Sequence, residues 1–163
     1  MALTDYTSYA EIRAVLGVSD TDIDDATLAL PIYEQQLLMA LYKVHPNLAT
    51  LFASIHQIPV DQRTALQQRL YNVTQVYAAY AVARYLLASA PLFAFQKLKD
   101  GRAEGDRFAN AFDMLRDDLD NMLADLVDSL EDLLTDLGEE FPAKVGMTYF
   151  AASEPNFNPI TGI

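Results

Sequence analysis

The longest uninterrupted apolar pattern of the chain lies between Pro59 and Pro91. The stretch from Val60 to Ala90 contains neither glycine nor proline, and its large apolar residues recur at three-, four- and seven-residue steps: Leu66, Leu70, Val73, Tyr77, Tyr80 and Leu87. This spacing predicts an α-helix of about eight turns. From Tyr77 onward the helix is apolar on almost every side, so it needs neighbours all round. The pattern therefore predicts an all-α fold, a helical bundle around this long central helix.

Shorter helical patterns precede the central one. Ser8 and Glu11 have the spacing of a capping box, and we expect Gly17 to close the helix that they begin. A second helix is predicted from Asp24 to about Val44, and Pro31 either kinks it or divides it in two. Its predicted buried face consists of Leu30, Tyr33, Leu37, Leu38 and Leu41. A further helix, from Leu48 to Gln57, is predicted to bury Leu48, Leu51, Phe52 and Ile55.

The last long helix is predicted from Phe108 to Leu137, with Gly138 ending it. Its apolar seam steps by four and three residues and shifts register once, before Leu130: Phe108, Phe112, Leu115, Leu119, Met122, Leu126, Leu130, Leu133 and Leu137. The opposite face is acidic: Asp113, Asp117, Asp120, Asp128, Glu131, Asp132 and Asp136. Arg116 is the only basic residue between the two ends of this predicted helix.

The segment between the two long helices has a different pattern. Phe93, Phe95, Lys97 and Lys99 alternate with other residues, and Asp100-Gly101 follows. Alternation followed by Asp-Gly predicts a short β-hairpin or an ordered loop. Lys97, Lys99 and Arg102 make this segment the basic contact region of the chain.

The chain is predicted to divide into a helical domain, residues 1–140, and an extended C-terminal arm, residues 141–163. The arm has several turn or breaker residues but keeps its apolar anchors: Phe141, Tyr149, Phe150, Phe157, Pro159 and Ile160. Disordered tails are poor in aromatic residues. The arm is therefore predicted to bind a groove, either on its own domain or on a neighbour.

Net charge and hydropathy argue against two classes of function, nucleic-acid binding and membrane insertion. A net charge of −12 argues against binding nucleic acid through phosphate contacts, which need clustered Lys and Arg. The one stretch that resembles a membrane span, from Val76 to Phe95, contains Arg84 and is broken by Pro91. A buried core helix explains it better, and no membrane partner is predicted.

Residues that usually carry catalysis are scarce. The chain has no cysteine, and its two histidines, His45 and His56, are expected to have structural roles. It contains no Glu-x-x-His pair, no glycine-rich phosphate loop and no His-Glu-x-x-His motif. A row of carboxylates on a helix is usually solvated, so neither a metal site nor a cofactor is predicted. An enzyme is the least favoured class.

Three classes of function remain open from the residues alone. The arm, the acidic face and the long seam favour a subunit that assembles with partners. Spaced carboxylates along one helix are also typical of an acidic mimic of DNA that inhibits a DNA-binding protein. A helical bundle that binds a small ligand is the third alternative.

Two stretches of the chain resemble a known family. EIRAVLGVSDTDIDDATLALPIYEQQLL (Glu11 to Leu38) and QQRLYNVTQVYAAYAVARYLLASAPLFAFQKLKDGRAE (Gln67 to Glu104) are similar to the head-to-tail adaptor proteins of tailed bacteriophages, also called connector or head-completion proteins. The likeness covers roughly the first two-thirds of the chain and rests on the order of elements rather than on a catalytic motif.

The resemblance implies a structural protein of the virion rather than an enzyme. Members of the family form a ring, commonly of twelve copies, in the neck below the portal vertex, after assembly in the host cytoplasm. The implied partners are the portal protein, a tail or nozzle protein and further copies of the same chain, with the C-terminal arm contacting the portal or a neighbouring subunit. If the acidic face lines the lumen, it repels phosphate, and DNA passes without specific binding.

Overall fold

The computed structural model describes residues 2–89 and 105–141. It consists of seven α-helices in this order: α1 (Leu3–Tyr6), α2 (Tyr9–Leu16), α3 (Asp25–Leu28), α4 (Pro31–Val44), α5 (Leu48–His56), α6 (Ala65–Ser89) and α7 (Gly105–Asp136). The two described ranges contain no strand, which confirms the all-α class. The predicted hairpin with Lys97, Lys99 and Arg102, and the arm beyond Phe141, lie outside the described residues.

Helix α6 is the centre of the molecule, as the sequence predicts. It packs against α1, α2, α4, α5 and α7. Its buried residues point in several directions, and many are small: Leu70, Thr74, Tyr77, Ala78, Ala79, Ala81, Val82, Ala83, Leu86 and Leu87. Alanine at these positions lets neighbouring helices approach closely without leaving a void.

The α-helical part of α6 begins five residues later than predicted. Val60–Gln62 forms a single turn of 3₁₀-helix, and the α-helix starts at Ala65. Thr64 and Gln67 form a reciprocal capping box, in which the Gln67 amide donates to Thr64 Oγ1 at 3.2 Å and the Thr64 amide donates to Gln67 Oε1 at 3.0 Å. This cap satisfies two free donors of the first turn, so the helix starts where the cap lies rather than after the proline.

Pro31 divides the second predicted helix in two. Asp24 caps α3, its carboxylate accepting a 2.7 Å hydrogen bond from the Thr27 amide. Leu30 lies between α3 and α4 with an extended backbone, as expected of a residue before proline. Pro31 then occupies the first position of α4, where its missing N–H costs nothing.

The predicted buried face of α4 is wrong at two positions. Leu30 is 49% exposed and Leu38 is 37% exposed, whereas the core contacts come from Tyr33, Leu37, Ala40, Leu41 and Val44. Leu30 precedes the helix and does not follow its periodicity. Leu38 is rotated about 100° from Leu37 around the helix axis, away from the core.

Helix α7 packs through a seam that differs from the predicted one at Met122, which is 40% exposed. The residues that face the core are Leu119, Leu123, Leu126, Leu130, Leu133 and Leu137, with Val127 and Leu134 beside them. From Leu119 to Leu137 these steps alternate four and three without the predicted register shift. Gly138 ends the helix with a positive φ of 81°, as expected.

An aromatic column fixes the short helix α1, which the sequence analysis did not predict. The rings of Tyr6 and Phe52 are stacked at 4.7 Å, and those of Phe52 and Tyr71 at 4.6 Å. The guanidinium of Arg63 lies over the other side of Tyr71, 4.3 Å from the ring centre. The column joins α1, α5 and α6, and Arg63 also donates to the carbonyl of Ile58 just beyond α5.

The two neighbouring leucines of α4 give a direct test of its orientation. We expect Leu37→Ala to lower the free energy of unfolding by about 2–5 kcal/mol, because it leaves a cavity in the core. Leu38→Ala, the matched control, should cost less than about 1 kcal/mol because its side chain is partly exposed. Urea titration followed by circular dichroism measures both values. Equal losses would contradict the orientation of α4 given by the structure.

Candidate functional site

His45 has a structural role at the end of α4. It is 1% exposed, and the Asn47 amide donates to its Nδ1 at 3.2 Å. Its Nε2 lies 3.2 Å from the carbonyl oxygen of Glu140, so the ring carries its proton on Nε2 and donates to that oxygen. Both ring nitrogens are therefore used within the protein, and neither is available to act on a substrate.

His56 is exposed and lies beside the aromatic column, next to both Phe52 and Tyr71. Its Nδ1 is 2.9 Å from the hydroxyl oxygen of Tyr71, and its ring stacks against Phe52. Within the described residues, no group of three or more His, Asp or Glu side chains is arranged to hold a metal ion.

Most of the carboxylates predicted for the acidic face of α7 are exposed, but the set differs from the predicted one. Six of the seven predicted carboxylates are exposed, and apart from Asp120 they lie along the outer side of the helix: Asp113, Asp117, Asp128, Asp132 and Asp136. Glu131 is half-buried. Asp118 and Asp125, which the sequence analysis left out, are exposed on the same helix and add to the negative charge.

Asp120 does not belong with the free carboxylates. Arg84 of α6 donates to it twice, from Nε to Oδ1 at 2.6 Å and from Nη2 to Oδ2 at 3.2 Å. Arg116 lies at the edge of the pair, with its Nε 3.9 Å from Oδ2. The hydrogen bond from Arg84 is the main cause that lowers the pKa of Asp120 below its usual value of 3.8. This bidentate pair joins the two long helices.

A shallow cleft of about 350 Å³ lies beside this ion pair, between α4, α6 and α7. Its walls are formed by Ala40, Tyr77, Ala81, Arg84, Tyr85, Ala88, Asp120 and Leu123. Burial raises the pKa of Tyr77 to about 12, and its hydroxyl points to the carbonyl oxygen of Ala40 at 3.4 Å. The charged groups of the cleft bind each other, so the cleft offers a ligand mainly apolar contact.

The exposed side of α4 is unusually apolar. Ile32, Leu38, Met39 and Tyr42 are exposed by 48, 37, 63 and 66% of their surface, and Gln35 lies among them. Their positions follow the helical repeat, so they share the side opposite Leu37 and Leu41. We call these four apolar residues the α4 face. The sequence analysis missed it, because both sides of α4 are apolar and the pattern alone does not show which side is covered.

The chain leaves α7 beside the end of α4. The side-chain amide of Asn47 donates to Glu139 at 3.2 Å, and Phe141 packs edge-on against the His45 ring, with 5.0 Å between ring centres. Phe141 is 36% exposed. Of the predicted arm anchors, Tyr149, Phe150, Phe157, Pro159 and Ile160 lie outside the described residues, as does the basic region.

No family model, no curated protein and no solved structure matches this chain. None of the helices in residues 2–89 and 105–141 is long and apolar enough to cross a membrane.

The Arg84–Asp120 pair predicts a specific titration. Arg84→Met keeps the length of the side chain but removes the guanidinium, so the pKa of Asp120 should rise toward its usual value. Arg116→Met is the matched control and should shift it less, because Arg116 is the weaker cause. Carboxyl-carbon NMR titration measures both. An equal shift in the two variants would contradict the pairing.

The Arg84–Asp120 pair also predicts how the stability of the protein changes with pH. The pKa of Asp120 is lower in the folded than in the unfolded chain. Its full contribution to the free energy of unfolding is therefore present at pH values above its pKa in the unfolded chain. That contribution is lost as the pH falls through the lower folded value. Asp120→Asn should therefore reduce stability at neutral pH and flatten the loss of stability in acid. Because the pair is partly exposed, the effect should be at most about 1 kcal/mol, measured by urea titration at several pH values.

Proposed function

We propose that this chain is a head-to-tail adaptor of a tailed bacteriophage, a structural subunit that assembles as a ring between the portal and a tail or nozzle protein. Twelve copies are the number implied by the resemblance over Glu11 to Leu38 and Gln67 to Glu104. An all-α domain around one long central helix is consistent with it. The subunit acts by binding other subunits and carries out no reaction of its own.

The observation that carries this proposal is the α4 face. Four large apolar side chains on one side of a helix are costly to leave in water, and such patches mark protein interfaces. In a ring, each subunit contacts its neighbours through two different surfaces, and such contacts close when the rotation between subunits allows it. The α4 face supplies one of these surfaces.

The acidic side of α7 supports a ring with a lumen through which DNA passes. A ring that conducts DNA must not bind it tightly, and carboxylates facing the lumen repel the phosphate backbone. The free carboxylates of α7 lie on the side away from the core, whereas Asp120 is bound to Arg84. We therefore assign the lumen to the outer side of α7, with its charge carried by Asp113, Asp117, Asp128, Asp132 and Asp136.

An acidic mimic of DNA is the second candidate. It is favoured by the spacing of Asp128, Asp132 and Asp136, which recur every four residues, or about 6 Å along the helix axis. This is close to two phosphate steps of one DNA strand, at about 3.4 Å each. A mimic of this kind binds a basic protein with strong salt dependence, and it makes no use of the α4 face.

Assembly with a portal tests the proposal. Purified chain mixed with portal rings from the same virus should add to them as a closed ring, seen by mass photometry and by electron microscopy. Met39→Asp combined with Tyr42→Asp should weaken this addition at least about tenfold, because the interface would have to bury charge. Val60→Asp, at a residue 68% exposed outside the α4 face, is the control and should add normally. Normal addition of the double variant would contradict the role of the α4 face.

The charge of α7 is tested in the assembled ring. Asp128→Asn with Asp132→Asn should increase binding of duplex DNA at low salt by about tenfold, because repulsion inside the lumen falls. Asp20→Asn with Asp61→Asn removes the same charge from exposed positions elsewhere and is the control. DNA retention on immobilised rings measures both pairs. Equal retention would show that the acids of α7 do not face the DNA.

A further inference from the structure

We propose that, in the single protomer, the α4 face binds the C-terminal segment 147–163 of the same molecule. The surface consists of Ile32, Leu38, Met39 and Tyr42, and no described residue of the domain covers it. This inference concerns the single protomer, and it does not depend on the adaptor function.

The point at which the chain leaves the domain supports this occupant. Glu140 and Phe141 are held at His45, the residue that ends α4. Tyr42, the last residue of the α4 face, lies one turn of helix before His45. The segment that follows Phe141 therefore starts at the edge of the surface that it is proposed to bind.

The lengths agree with the proposal. From Ile32 to Tyr42 the α4 face extends about 15 Å along the helix axis, at about 1.5 Å per residue. The eight residues from Phe141 to Tyr149 span up to about 26 Å when extended, at about 3.3 Å per residue. Tyr149 and Phe150 can therefore reach every part of the face without disturbing the anchored end.

The chemistry of the two surfaces is also complementary. The α4 face consists of uncharged side chains, with the exposed Lys43 at its border one turn after Met39, and Glu154 is the only charged side chain of residues 147–163. The segment offers Tyr149, Phe150, Phe157 and Ile160, large apolar side chains of the kind that anchor an extended peptide on an apolar helix face. A strongly charged tail would not fit this site.

Tethering favours the same molecule over a second copy. A tether of about eight residues gives an effective concentration of about 1 mM, so at about 1 µM protein the chain's own segment is favoured roughly a thousandfold. Assembly then requires the segment to leave the α4 face. The contact would keep the subunit single until a partner displaces it.

Cysteine cross-linking tests the contact, and the natural chain helps because it contains no cysteine. Met39→Cys with Phe150→Cys places one thiol on the α4 face and one on the segment. Val60→Cys with Phe150→Cys is the matched control, since Met39 and Val60 are exposed by 63 and 68%. Helix α5 starts three residues after His45, is about 14 Å long and ends shortly before Val60, so Val60 also lies within the span of the segment. A short bismaleimide reagent at about 1 µM protein should give a cross-link within one chain at least about tenfold faster for the first pair.

Each outcome decides the proposal. Equal rates for the two pairs, or no cross-link at position 39, would overturn it. Cross-links only between chains would assign the face to a second copy and would also overturn it. Adding Tyr42→Asp to the first pair should slow the reaction to the control rate. Adding Val60→Asp to the first pair should leave the rate unchanged. A melting curve followed by circular dichroism checks that both variants remain folded.

The cross-linked protein also separates this inference from the adaptor function. If both are right, the chain with position 39 linked to position 150 should fail to add to portal rings, and the unlinked chain should add. If the linked chain adds normally, the ring does not use the α4 face, although the contact within the protomer stands. If the unlinked chain never adds, the adaptor function fails while the cross-linking result remains valid.

Discussion

The burial of α6 between Tyr77 and Leu87, where every residue is buried or half-buried, is the constraint on which the rest of the structure depends. Five other helices contact it, and its run of alanines at 78, 79, 81 and 83 permits close approach on more than one side. Burying apolar surface contributes about 25 cal/mol per Å², so this stretch of α6 is a large source of stability for the domain. The other helices pack one side against the core, and the residues on their outer sides can differ from helix to helix.

This division is clearest in the two helices that flank α6. Helix α7 packs through leucines and leaves its outer side to carboxylates, whereas α4 packs through Tyr33, Leu37 and Leu41 and leaves its outer side apolar. One domain thus presents an acidic surface on α7 and an apolar surface on α4. The Arg84–Asp120 pair lies between them and fixes how α6 and α7 are rotated relative to each other.

Much of the fold follows from local signals in the sequence. Helical spacing predicts the central helix, the Ser8–Glu11 capping box forms with both of its hydrogen bonds, and Gly17 and Gly138 end their helices with positive φ. Each of these depends on residues within one or two turns, where sequence and geometry are directly linked. The division at Pro31 was left open because a proline can begin a helix or kink one, and only the extended Leu30 decides between them.

The features that the sequence did not predict depend on distant contacts. Met122 and Leu123 are adjacent and both apolar, so only the rotation of α7 against α6 decides which one faces the core. Arg84 and Asp120 are 36 residues apart, and the pattern of neither helix indicates that they meet. Helix α1 is a single turn fixed by stacking on Phe52, and the α4 face is visible only once the opposite side is seen to be covered.

The clamp at His45 has a mechanical consequence. Asn47 holds Glu139, His45 holds the carbonyl of Glu140, and the Phe141 ring rests on the same imidazole. Tension applied to the chain beyond this point is carried first by these three contacts, and through them by the corner between α4 and α5, before it reaches the last turn of α7. These three contacts therefore have to break before the longest helix bears the load.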